Sequence, residues 1–467
     1  MPVQELLEAA LAEDPDDLLR AALADRTPPG LLRLHVDGVG VHLEPGPARP
    51  LASGSAVELS VLVDSSRDRP VELRWPGGTR SIPPRGAALV DLRWTDPAGC
   101  GLAIDGDGVA VDLELRTAFV ATRRGRLRVR APHPVRWSVV DGAGGAWFPE
   151  GVLRKWDVHH RPFFHAAEAT LEVPSGAFMV TAARGLEHHV ETAAAEVPAG
   201  GEAAVELDPP PRMDPAARGW FGGDLHVHMN YAGDEVCTPE QAVAMQVGEG
   251  LHLVNLVAGN CTTSRIFDRA ALESWAGEDL PWSAPFSVAR MGVEYRNDLL
   301  GHFHALGPAR PPSRYHSGHA GSDADEDWPA NSVAAAEARR LGATVGYCHP
   351  VLLPMVDDPS LVFDLMPRSV EAREVVVDAA LGLVDSLDVL SNMSGRGAGV
   401  LYRELVGAGR RLAVTAGTDC FLSFSRCGTF SNPPGWARSY ARVEGPLSVE
   451  SYQEAVRAGR TIATNGP

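Results

Sequence analysis

Several large protein classes are excluded by what this chain lacks. Its 467 residues hold six cysteines (Cys100, Cys237, Cys261, Cys348, Cys420, Cys427) without the spacing of a disulfide framework. A chain of this length needs no covalent staples, so free thiols are expected. Positive charge is scarce: 42 Lys and Arg stand against 60 Asp and Glu, a formal net charge of -18. Nucleic acids and anionic membranes both reward clustered basic residues, so neither is an expected partner. No run approaches the roughly 20 apolar residues of a membrane span. The opening MPVQELLEAALAEDPDDLLRAAL reads as an acidic amphipathic helix without a basic leader region or a cleavage site, and a cytoplasmic location is expected.

What is present suits a large multidomain protein, because 467 residues exceed one ordinary core and suggest roughly three domains. Residues 1–28 read as an N-terminal helix. From 29 to 120, short alternating runs such as Ala56-Val-Glu-Leu-Ser-Val-Leu-Val63 are separated by Gly, Pro and Asp clusters, the pattern of an all-β sandwich. A second β-sandwich is expected over 121–212, where TLEVPSGAFMVTA resembles an edge of carboxypeptidase-regulatory-type sandwiches. Neither unit shows a catalytic constellation. The Pro-rich stretch 208–214 reads as a linker.

Beyond it, from 213 to 467, strands and helices alternate. Helices are expected at 239–250, 333–341, 370–380 and 398–408, and strands at 251–257, 343–349, 386–390 and 412–416, which implies a parallel α/β sheet or barrel. In such folds the working residues gather at the C-terminal strand ends. Read in order, those ends carry His226 and His228, then Glu294 with His302 and His304, then His349, then Asp419. His226 and His228 are two residues apart, so in a strand both project from one face and can reach one ion. Alone, such a pair is also an ordinary core or surface coincidence; the downstream imidazoles and carboxylates make it a metal-site candidate. Cys348 and Cys420 flank the strongest donors, but strand neighbours face opposite ways, so both read as small buried hydrophobes behind the site.

Five stretches, GDLHVHMNYAGDEVCTPEQ, EYRNDLLGHFHALG, VGYCHP, VLYRELVGAGRRLAVTAGTD and AGRTIATNGP, span residues 223 to 467. Together they resemble the PHP superfamily, and within it the CehA/McbA branch of carbaryl-hydrolase-like metallohydrolases. The resemblance implies a distorted (β/α)7 barrel and divalent metal ions, two of them, with Zn, Mn and Fe all compatible. It places His226, His228, Glu294 and Asp419 around a first ion, with Glu294 bridging to a second held by His302 and His349. It also departs from the family pattern: an expected Asp-His falls near Ala258-Gly259-Asn260, the Asp-x-His pair ends in Asp419-Cys420-Phe421, and a third-ion ligand is missing near Asp234.

The function implied is a hydrolase using a metal-bound hydroxide to cleave an ester, amide or carbamate bond of a small molecule. His304 and Asp419 are the candidates for proton transfer, and His304 equally reads as a structural histidine. Asp224, Asn230, Asn260 and Asn392 are candidates for substrate binding or for orienting the donors. Two alternatives stay open: a phosphoesterase, and a degenerate noncatalytic metal- or carbohydrate-binding protein. Homo-oligomerisation is left open as well.

Overall fold

The structure is a computed structural model and describes residues 31–37, 41–43, 49–52, 57–75, 78–84, 86–94, 101–106, 109–114, 119–122, 124–231, 236–260, 266–318, 327–351, 372–392, 396–425 and 429–466. The helix expected over 1–28 lies outside them.

Within the first β unit, Leu31–Val36, Val41–Leu43, Val57–Ser65 and Ala87–Trp94 form one four-stranded sheet. Val71–Trp75, Gly78–Ile82, Gly101–Gly106 and Val109–Glu114 form a second. Every second residue turns inward, so Val61 and Val63 are buried, as are Val71 and Leu73. The next unit is organised around one 18-residue strand, Arg124–Asp141, which pairs with Pro162–Pro174, Gly176–Ala183 and Glu202–Glu206. Leu127 and Val129 face the core while Arg126, Arg128 and Arg130 face out. The register slips between Arg130 and Val135, where Pro132 and Pro134 remove ladder donors.

The last unit carries a mixed sheet whose main strands are labelled here β1 (Trp220–His228), β2 (Leu253–Asn260), β3 (Val288–Tyr295), β4 (Phe303–Leu306), β5 (Thr344–Tyr347), β6 (Ser386–Leu390), β7 (Ala413–Ala416), β8 (Arg438–Arg442) and β9 (Thr461–Thr464). Their spatial order is β7-β6-β5-β4-β3-β2-β1-β8-β9. Helices α1 (Pro239–Gly248), α2 (Arg269–Trp275), α3 (Asn331–Arg340), α4 (Val375–Leu381), α5 (Arg396–Gly407) and α6 (Val449–Arg457) connect or follow them. Local chemistry sets some of these boundaries: Thr238 and Gln241 form a capping box with Pro239 at the first turn of α1, and Ser448 and Ser451 form one at α6.

Among the described residues, the strict β/α alternation expected from the sequence is broken in two places: between β3 and β4, and after β7, where β8 pairs antiparallel to both β1 and β9. β3 runs into β4 without a helix, and β4 is antiparallel to both β3 and β5. The sheet nevertheless nearly closes. Cys420–Phe421, just beyond β7, pairs in parallel with Val227 and His228 of β1, and the Ser439 hydroxyl both accepts from Ala416 N at 2.7 Å and donates to Ala416 O at 3.0 Å. No helix among the described residues is long and apolar enough to cross a membrane.

Candidate metal centre

β1 delivers His226 and His228 to the interior of this sheet, both buried, with their Nε2 atoms 3.1 Å apart. Glu294 stands near the end of β3 and is buried between several imidazoles. Its Oε1 lies 2.9 Å from His302 Nδ1, 3.3 Å from His226 Nε2 and 3.5 Å from His349 Nε2, while Oε2 lies 3.2 Å from His228 Nε2. Asp419 Oδ1 lies 3.4 Å from both His226 and His228, and its Oδ2 lies 4.0 Å from His349. Oε1 of Glu294 thus faces three imidazoles and Oε2 a fourth.

These separations suit a cation. Ligands about 2.0–2.1 Å from a tetrahedral ion stand roughly 3.4 Å from one another, close to the spacings among His226, His228, Glu294 and Asp419. The charge pattern agrees. Among the described residues, Glu294 and Asp419 are ion-paired with imidazoles and with no Lys or Arg. Burial opposes protonation of His228, but the Asp419 and Glu294 carboxylates outweigh it and push it up to about 9. His226 is raised for the same reason against the same burial. Burial opposes ionisation of Glu294, yet His226 and His302 hold its carboxyl well below the usual range. His349 goes the other way, lowered by burial. Among the described residues, the positive charge that these two buried carboxylates call for is supplied only through imidazoles.

Two donors sit on strained backbone. His349 has φ 30° and Asp419 φ 56°, the left-handed region that costs a non-glycine residue about 1–3 kcal/mol. The first twist also undoes the argument from strand alternation. Because the chain leaves β5 at Tyr347, Cys348 does not simply face away from His349: its Sγ lies 3.9 Å from Glu294 Oε1 and groups with His226, Glu294 and His349 as a possible donor. Burial, with Glu294 nearby, pushes the Cys348 thiol well up. Cys420 is buried at the strand pairing with Val227.

The remaining candidates fall into distinct places. Asp224, buried, accepts the backbone N–H groups of Thr418 at 2.9 Å, Gly435 at 2.6 Å and His226 at 3.1 Å. Asn392 donates from Nδ2 to the carbonyl of Asp419 at 3.1 Å. Both therefore hold the Asp419 turn. Asn230 spends its side chain on Asp268 and on both backbone groups of Cys237, closing the turn after β1. The side chain of Asn260 lies outside the described residues.

His304 is cross-strand partner to Glu294, so it shares the inner face, but its Nε2 lies 3.3 Å from Asp388 Oδ2 and the side chain is 1% exposed. It sits deeper than His302 and Asp419, whose side chains are 9% and 6% exposed. Asp388 is a site residue that sequence reasoning passed over. Nothing in SLDVL distinguishes it from an ordinary strand acid.

The departures from the family pattern have physical counterparts. A Cβ on Gly259 would stand 3.3 Å from His228 Cε1 and 3.4 Å from Glu294 Oε2, so a larger residue would press on both. Phe421 packs edge-on to His228 with centroids 5.2 Å apart and stacks on Phe430 at 4.5 Å. With Tyr231, Phe267 and Phe424 it forms an aromatic wall beside His228. Asp234 lies outside the described residues.

No family model matches the chain, and no curated protein does. Among solved structures, a two-domain protein containing a predicted PHP-like metal-dependent phosphoesterase from Bacteroides vulgatus overlaps with 14% identity, TM-score 0.33, over 53% of this chain and 65% of its own. PsfC from Pseudomonas syringae overlaps with 11% identity, TM-score 0.33, over 52% and 91%. A lesion-specific endonuclease from Pyrococcus furiosus overlaps with 13% identity, TM-score 0.32, over 52% and 57%. The chain thus spans less than two thirds of the first and third of these. At such scores the likeness assigns neither fold nor activity, and the donor geometry stands on its own residues.

Proposed function

We propose that the chain is a metal-dependent hydrolase of the PHP type that cleaves an ester, amide or carbamate bond of a small molecule. The observation that carries this reading is Glu294, buried with imidazoles on both carboxylate oxygens. His226, His228, Glu294 and Asp419 would hold one divalent cation, and Glu294, His302 and His349 a second. Zn, Mn and Fe all accept this mixture of imidazole and carboxylate. Such ions supply Lewis acidity and lower the pKa of a water.

The protein's own part is positional. Asp224 and Asn392 fix the turn bearing Asp419, and the rings of Tyr231 and Phe421 keep water from the outer side of His228. Asp419, the outer of the two acids, would accept the proton released by the attacking water and pass it on to the leaving group. His304, engaged by Asp388 deep in the sheet, supports rather than donates.

Two of the arginines beside the motifs are engaged within the protein, which fits a carbonyl substrate, while Arg373 keeps Nε and Nη2 buried without a hydrogen-bond partner. Phosphate recognition rewards a free guanidinium fork, but Arg438 is spent on the Glu249 carbonyl at 2.8 Å and Arg296 is engaged by Asp298 at 2.6 Å. The side chain of Arg396 lies outside the described residues. The resemblance to the carbaryl-hydrolase branch supports the same choice.

Metal content of the purified protein tests the reading first: one to two tightly bound transition metals per chain are expected, and fewer than one would overturn it in favour of a noncatalytic module. Turnover of p-nitrophenyl acetate, a naphthyl carbamate and p-nitrophenyl phosphate tests the substrate class. Activity confined to the phosphate would reverse the preference for carbonyl chemistry.

A further inference from the structure

Lys155 is the one lysine in a chain with 42 basic residues, and it is 1% exposed. It belongs to the short strand Lys155–Trp156 of the second β unit, yet its ammonium reaches into the last unit. There Nζ donates to the carbonyl oxygens of Phe421 at 2.8 Å, Leu422 at 3.0 Å and Phe424 at 2.6 Å. Three donors meet three acceptors, the full capacity of an ammonium group. The planar fork of arginine, used at every other basic position, cannot converge on such a tripod.

The segment gripped in this way follows Asp419 directly and pairs with the strand that carries His228. A second path runs from residues 156–158. Ser431 Oγ donates to the carbonyl of Trp156, and Val158 N donates to Asn432 Oδ1 at 3.2 Å. Asn432 Nδ2 then donates to Asn392 Oδ1 at 2.8 Å, and Asn392 to the carbonyl of Asp419 at 3.1 Å. Residues 155–158 therefore reach the Asp419 turn by two hydrogen-bonded routes. A buried ammonium is a costly way to join two domains where an apolar side chain would serve, so its presence points to a geometric demand made by those carbonyls.

We propose that Lys155 is a positioning residue of the metal centre: the second β unit holds the Asp419 turn in its donor geometry, and the centre is complete only with that unit docked. This rests on the metal reading of Asp419 given above. The β unit is then part of the site and not a separate binding module.

The test uses the full chain with Lys155→Met, similar in volume but without donors. Amide exchange at residues 419–425 of the metal-free protein is expected to accelerate at least about tenfold, and zinc affinity by chelator competition to fall about 10–100-fold, as for other groups that orient metal ligands. The cobalt-loaded variant is expected to show shifted visible absorption bands. A control in the β core, Val180→Ala, lowers thermal stability and moves neither exchange at 419–425 nor zinc affinity.

Unchanged exchange in Lys155→Met overturns the tether whatever the metal result. Zinc bound equally by wild type and Lys155→Met overturns the positioning role and leaves the metal reading standing, whereas a wild type that binds no zinc overturns that reading and with it any role of Lys155 in a metal centre. Should Lys155→Met fail to fold, Asn432→Ala, which cuts the second path, is expected to weaken zinc binding several-fold, and an unchanged affinity overturns the proposal.

Discussion

Asp224 Oδ1 accepts the backbone N–H of Thr418 at 2.9 Å, which ties the strand carrying His226 and His228 to the turn carrying Asp419. The two walls of the donor cluster are thereby joined by a buried carboxylate that touches neither side of the chemistry. Replacing it with Asp224→Ala strands the N–H groups of Thr418 and Gly435, each at about 1–3 kcal/mol. A stability loss of about 2–4 kcal/mol in urea is expected, together with weaker metal binding of about 10–100-fold. Wild-type affinity in a folded variant would show that the Asp419 turn does not depend on this link.

Glu294 is the shared donor, so Glu294→Gln keeps the shape and removes the charge on which both positions depend. The metal content measured after dialysis is expected to fall by at least one ion per chain, with hydrolytic activity falling more than about 100-fold. Unaltered metal content would argue that Glu294 is a structural acid among histidines.

Gly417 lies where a side chain has no room. A Cβ there would meet His226 Cβ at 2.5 Å, Asp388 Oδ2 at 2.9 Å and His226 N at 3.1 Å. Gly417→Ala therefore has to displace the first histidine of the cluster, at a cost of about 1–3 kcal/mol. Both a lower melting temperature and weaker metal binding are expected, and a melting temperature equal to that of the wild type would contradict the packing described.

His252, at the junction with the second β unit, is pushed down to about 4, by burial first and then by Arg438. The unfolded chain protonates it near pH 6.5, while the fold resists until about pH 4. Its contribution is therefore complete above pH 6.5 and lost as pH falls toward 4, about 3 kcal/mol in all, of which a share of about 2 kcal/mol falls between pH 7 and pH 4.5. In His252→Asn, which keeps an acceptor for Gly222 N, the stability difference between pH 7 and pH 4.5 should shrink by that share; urea midpoints at the two values measure it.

Much of the centre was legible in the sequence because strand geometry is local. The two-residue period alone puts His226 and His228 on one face, and the βα rhythm locates helices α1, α3 and α5 within a few residues. Other features were hidden. The antiparallel turn between β3 and β4, which sets Glu294 opposite His304, follows from pairing between strands and leaves no periodic trace. Cys348 was placed behind the site by an alternation rule that the φ of His349 suspends.

By itself the sequence determined which side chains can act as donors, which strand faces they share, and that the chain is acidic and built from β units followed by mixed strands and helices. Those are properties of composition and of repeats a few residues long. Only the tertiary structure decided that Glu294 faces histidines on both oxygens, that Asp388 holds His304, and that Lys155 closes on carbonyls 266 to 269 residues away. The reason is physical: a nearly closed sheet brings strand ends together across large sequence separations, and the cost of leaving buried charges and amides unpaired then selects which of them meet.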